Sequence, residues 1–97
     1  MSVLAKLVKQ PLTLYVTSSC PFCNNARKLI AANKVESKIN VLDDLPDGGA
    51  SLRRELINET GQRTVPYVFS YGKLIGGFSE LKQQPQAFWE QLPKNKI

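Results

Sequence analysis

Histidine is absent from all 97 residues. This excludes Ser-His and Cys-His nucleophile pairs, and with them any metal site built on imidazole. Cysteine occurs only as Cys20 and Cys23. Two thiolates cannot complete a four-ligand structural zinc site within one chain, and they make no disulfide framework. The longest unbroken apolar run is Leu29–Ala32, far short of the roughly 20 residues that span a bilayer. Met1–Gln10 carries Lys6 and Lys9 but no apolar stretch of secretory-signal length. The expectation is therefore the compartment of synthesis, the reducing cytoplasm, with no membrane association. Internal repeats, low-complexity tracts and dividing linkers are also missing, so residues 1–97 read as a single domain.

Acidic side chains are in the minority, with 8 Asp and Glu against 13 Lys and Arg, for a formal net charge of +5. Such an excess favours anionic partners. The cations are scattered, however, and only Arg27–Lys28 and Arg53–Arg54 are adjacent. No basic run is interleaved with aromatics, so a small acidic ligand is expected and nucleic acid is not. The 42% apolar content is ordinary for a globular chain.

Ser2 is placed to cap a short helix through Lys9, with Val3, Leu4, Leu7 and Val8 on one side and Pro11 ending it. Leu12–Val16 alternates and is β-prone, which predicts a buried strand. Thr17-Ser18-Ser19 then turns into a helix from Pro21 to about Asn33, with Cys23, Ala26, Leu29 and Ile30 at helical spacing. Lys38–Leu42 is a second strand, completing a βαβ unit with parallel strands. Ser51–Thr60 reads as a helix burying Leu52, Leu56 and Ile57 and closed by Gly61. Pro66–Ser70 and Lys73–Ile75 form a hairpin about Tyr71-Gly72. A last helical region, interrupted at Pro85, turns Leu81, Phe88 and Leu92 inward. Helices falling between strands predict an α/β fold, a mixed sheet flanked by helices.

The densest chemistry is Ser19-Cys20-Pro21-Phe22-Cys23, at a strand-to-helix junction. Proline is favoured at the first helical position, which places Cys20 at the N-cap and Cys23 one turn later on the same side. The unpaired N–H groups and the positive end of the helix dipole then favour a thiolate at Cys20. Cysteines in such settings have pKa values of roughly 3.5–7.5, against about 8.5 for a free thiol. Arg27 adds a cation on nearly the same face. Thiolate Cys20 can attack a disulfide, and Cys23 can resolve the mixed disulfide that forms. Two other readings stay open: a pair of small buried apolar residues, and half of a metal site completed by a second chain.

Four separated pieces in this order resemble the glutaredoxin family, of the dithiol Cys-Pro-Phe-Cys type. They are Cys20-Pro21-Phe22-Cys23, Thr60-Gly61-Gln62-Arg63-Thr64-Val65-Pro66, Tyr71-Gly72-Lys73 and Ile75-Gly76-Gly77-Phe78-Ser79-Glu80-Leu81. The resemblance covers nearly the whole chain. It implies a thioredoxin-like fold with a four-stranded sheet, and glutathione-dependent reduction of protein disulfides and glutathione mixed disulfides. Cys20 and Cys23 would be catalytic, and no cofactor would be tightly bound, glutathione being the reducing co-substrate. The implied glutathione site comprises Phe22, Arg53, Arg63, Thr64, Val65, Pro66, Gly77, Phe78, Ser79 and Glu80. In it the Val65 backbone pairs with the ligand's cysteine, and Arg53, helped by Arg63, holds the glycine carboxylate. The N–H groups of Phe78 and Ser79 take the γ-glutamyl carboxylate, and Glu80 meets the ammonium. By resemblance Val65-Pro66 is cis, although the residues alone favour a trans proline opening an edge strand.

The chain departs from the family pattern at Thr17, where relatives often carry Lys or Arg, at Phe22, where Tyr is common, and at Phe78, where Cys is frequent. The expected partners are glutathione and disulfide-containing or glutathionylated proteins, and the expected state is a monomer. Two rival functions remain. One is a dimeric carrier of a glutathione-ligated [2Fe–2S] cluster, which Pro21 and the competing thiol of Cys23 disfavour. The other is a thioredoxin-like reductant fed by a flavoprotein reductase, although the Cys-Gly-Pro-Cys after Trp typical of thioredoxins is not present.

Overall fold

The computed structural model describes residues 3–94. Two central strands organise it: β1 (Thr13–Val16), buried along its whole length, and β3 (Tyr67–Ser70). Successive side chains of a strand point to opposite faces, so these two strands feed two separate cores. Leu14, Val16 and Val68 point to one face, where they meet Cys23, Ala26 and Ile30 of α1 (Pro21–Ala32). Leu81 of α3 (Phe78–Lys82) and Trp89 of α4 (Gln86–Glu90) complete that core. Tyr15, Tyr67 and Phe69 point to the other face and pack with Leu7, Leu42 and Leu56, the last from α2 (Ala50–Thr60). The sheet order is β2-β1-β3-β4, with β2 (Lys38–Val41) and β4 (Lys73–Gly76) at the edges. β1 runs parallel to β2 and antiparallel to β3, and β3 pairs antiparallel with β4. This is the expected mixed four-stranded sheet flanked by helices.

Several local expectations are refined. The chain forms a 3₁₀ helix over Val3–Leu7 and leaves it there, so Leu7 is buried but Val8 is 55% exposed. The Ser2 cap lies outside the described residues, as do the side chains of Val3 and Leu4 on which their inward positions turn. The α1 helix ends at Ala32 with Asn33 as its C-cap, and the left-handed residue that reverses the chain is Lys34 (φ 56°). Leu42 leaves β2 for a 3₁₀ turn, Leu42–Asp44. In α2 only Leu56 is fully buried, and Leu52 and Ile57 are half-buried. The hairpin turn has positive φ at both Tyr71 (49°) and Gly72 (82°), as a two-residue type I′ connection requires. Trp89, which the sequence reading leaves out of the core, is buried, and the half-buried Phe88 packs edge-on against it.

Candidate active site

Cys20 follows β1 across the Thr17–Ser19 turn and caps α1 in extended conformation (φ −130°, ψ 107°), with Pro21 at the first helical position. The Cys23 N–H donates to Cys20 Sγ at 3.1 Å, so an orphan donor of the helix start is spent on sulfur. An N–H aimed at Sγ, backed by the helix dipole, stabilises negative charge on that atom. The two cysteines form a disulfide with Cα atoms 5.1 Å apart. Cys20 is 8% exposed and Cys23 1%, so Cys20 is the sulfur an incoming disulfide reaches first.

The turn ahead of Cys20 is pinned from a distance. Asp43, just past β2, accepts from the Ser18 N–H at 3.0 Å and also from the Ser18 hydroxyl. The hydroxyl bond first, and the N–H bond with it, hold the Asp43 carboxyl below the ordinary carboxylate value near 3.8. This contact spans 25 residues, and nothing in the sequence signals it.

A groove of about 340 Å³ lies beside the disulfide, lined by Phe22, Thr64, Val65, Pro66, Gly77, Phe78, Ser79 and Glu80. These are eight of the ten residues that the resemblance assigns to a ligand. Phe22 is 61% exposed, and its ring lies 6.4 Å from that of Phe78, so the two form an apolar lip. The Val65-Pro66 bond is cis. On the opposite wall, the Phe78 and Ser79 N–H groups open α3, where a helix has no internal acceptor for them. Glu80 turns back on its own helix start, accepting the Gly77 N–H at 2.7 Å. It also covers Gly76 (φ 131°), where a Cβ would come within 2.6 Å of Glu80 Cγ. One Glu80 oxygen is therefore engaged within the chain.

Arg53 and Arg63 stand outside the groove lining. Arg53 is half-buried on α2 and donates from Nη2 to the Arg63 carbonyl at 3.2 Å, bracing the loop that carries Thr64 and Val65. Burial pushes the Tyr67 hydroxyl up, and the nearby positive charges of Arg53 and Arg63 partly oppose this. Arg27 does not join the site. It is exposed and lines a shallow recess with Val35 and Ile39, beside the β2 edge.

The residue that sequence reasoning missed is Gln62. Its side-chain amide donates to the Thr64 carbonyl at 2.8 Å and to the Pro66 carbonyl at 3.0 Å. A larger recess of about 490 Å³ lies around Leu12, at the far end of β1 from Cys20, and carries no cysteine. Among the described residues, no group of three or more His, Cys, Asp or Glu side chains is placed to hold a metal ion. No described helix is long and apolar enough to cross a membrane.

Comparison with known proteins agrees with this geometry. The glutaredoxin family model matches residues 12–75. Glutaredoxin-1 of Gallus gallus is 40% identical over 92 residues, covering 94% of this chain and 85% of its own length. Among solved structures, a wheat glutaredoxin superposes with a TM-score of 0.82 at 33% identity, covering 95% of this chain and 94% of the other. A buckwheat glutaredoxin, solved in complex with glutathione, gives 0.75 at 34% identity over 82% of this chain and 76% of the other. With its thioredoxin-like sheet, its Cys20–Cys23 redox centre and these relatives, the chain belongs to the glutaredoxin family of thiol–disulfide oxidoreductases.

Proposed function

We propose that this chain is a glutathione-dependent reductant of protein disulfides and glutathione mixed disulfides. The observation that carries the reading is the groove beside Cys20, walled by the Thr64–Pro66 loop and by the start of α3. It offers backbone donors and acceptors on two sides and an apolar lip at Phe22 and Phe78, which suits a short acidic peptide joined through sulfur to Cys20. In this reading the Val65 backbone pairs with the ligand's cysteine like an added strand. The Phe78 and Ser79 N–H groups receive the γ-glutamyl carboxylate, and the free oxygen of Glu80 faces the ammonium. Arg53 and Arg63 draw the glycine carboxylate towards the loop end. The buckwheat relative solved with glutathione supports the same ligand.

The chemistry balances in thiols. Cys20 thiolate attacks a substrate disulfide, forms a mixed disulfide and expels one thiolate. Cys23 thiolate then attacks Cys20 Sγ, releases the second thiol and leaves the Cys20–Cys23 disulfide. One glutathione thiolate opens that disulfide to a Cys20–glutathione adduct, and a second removes it as glutathione disulfide. The partners in this reading are glutathione and disulfide-bearing or glutathionylated proteins, met by a monomer in the cytoplasm, where a reduced thiol pool keeps the cycle running.

The two serine variants test the roles. Cys20→Ser abolishes all thiol transfer. Cys23→Ser keeps reduction of a glutathionylated peptide, which needs one thiol, and loses reduction of protein disulfides that need two. If Cys23→Ser lost both activities while Cys20→Ser kept one, the assignment would be reversed.

A further inference from the structure

Four successive carbonyls, of residues 63–66, lead into and along the groove wall, and side chains hold three of them. Arg53 Nη2 takes the Arg63 carbonyl, and the Gln62 amide takes those of Thr64 and Pro66. Among the described residues, the Val65 N–H and C=O have no hydrogen-bond partner. We propose that Gln62 is a positioning residue: its side-chain amide holds the carbonyls on either side of Val65, so that of these four carbonyls only that of Val65, with its own N–H beside it, is left to pair with the ligand. The inference rests on the glutathione reading above and deepens it.

The chemistry of the amide suits this task. Its nitrogen carries two protons, and each goes to one carbonyl; the amide oxygen in that place would face two other oxygens. Gln62 is itself anchored at both ends. Its N–H donates to Thr60 Oγ1 at 3.0 Å, and Thr60 Oγ1 donates to the Leu56 carbonyl at 2.7 Å, which ties the loop to α2. Its carbonyl accepts from the Tyr67 hydroxyl. Burial raises the Tyr67 pKa, so at neutral pH the hydroxyl keeps its proton and remains a donor. The Pro66 carbonyl lies 3.6 Å from where a Cβ on Gly77 would sit. Fixing that carbonyl therefore also sets the loop against the opposite wall of the groove.

Gln62→Met keeps the length and removes both donors. The reduced wild-type and variant proteins are compared on a glutathionylated peptide, on the same peptide carrying a cysteine mixed disulfide, and on a small aromatic disulfide without a peptide part. Gln62→Met is expected to lower kcat/KM for the glutathionylated peptide by about 3–20-fold, as for the loss of one or two hydrogen bonds. Its rate on the aromatic disulfide should stay within about twofold, because Cys20 is untouched. An unchanged kcat/KM on the glutathionylated peptide overturns the proposal, and so does an equal fall on all three substrates. Gln62→Glu is the second variant. Its carboxylate repels both carbonyls, but once protonated it can donate to one, so its deficit relative to wild type should shrink from about pH 8 to about pH 5. A deficit independent of pH also overturns the proposal. A wild type with no preference for the glutathionylated over the cysteinylated peptide defeats the glutathione reading itself, whereas a wild-type preference kept in full by Gln62→Met defeats only the role of Gln62.

Discussion

Thr13 sits mid-sheet with a fully buried hydroxyl that has no partner among the described residues. A buried hydroxyl without a partner costs about 1–3 kcal/mol, and an apolar group of the same shape removes that cost. Thr13→Val should therefore raise stability by about 1–2 kcal/mol, read as a melting temperature higher by about 4–16 °C for a domain of this size. A lower melting temperature would show that the hydroxyl finds a partner in solution. The residues that drive the chemistry were easier to read. Cys20, Pro21 and Cys23 act within one turn of helix, so their geometry follows from local sequence. Gln62 is quoted within a motif, but its role depends on the path of the loop that brings two carbonyls to one amide, and no spacing rule predicts that path.

At the scale of elements, strands β1 and β3 were legible because alternation reports which face each side chain takes, and the Tyr71-Gly72 turn because it needs positive φ. Helix α1 was legible from its proline start. The errors came where packing between distant segments decides: Val8 turns outward and Trp89 inward, although the local pattern gives no sign of either. The Asp43–Ser18 contact is of the same kind, and it has a measurable consequence. The folded state holds the Asp43 carboxyl below its ordinary value, so this contact contributes stability above about pH 4 and loses it as pH falls through the folded value. Asp47 is lowered as well, mainly by the Ser51 side chain and also by the Ser51 and Gly49 N–H groups, and it acts in the same direction and pH range. Comparing wild type with Asp43→Ala isolates the first contribution. The difference in melting temperature should be full at neutral pH and should narrow below roughly pH 4. A gap that stays constant into acid would mean that the Asp43 charge plays no part in holding the turn before Cys20.

For the molecule as a whole, the net charge of +5 favours an anionic ligand, and in the proposed reading Arg53 adds local recognition of one carboxylate of glutathione, whose two carboxylates outweigh its one ammonium. Arg53→Ala should raise the KM for glutathione by about 3–30-fold at low salt. The wild-type advantage should shrink as salt approaches about 1 M, where the Debye length falls to about 3 Å. An unchanged KM would mean that Arg53 serves only to brace the Arg63 carbonyl. The central claim concerns where the electrons come from. The most direct test is NADPH consumption during reduction of a glutathionylated peptide, with glutathione and glutathione reductase in one arm and thioredoxin reductase alone in the other. Steady turnover in the first arm and none in the second is the predicted result; turnover with thioredoxin reductase and none with glutathione would contradict it.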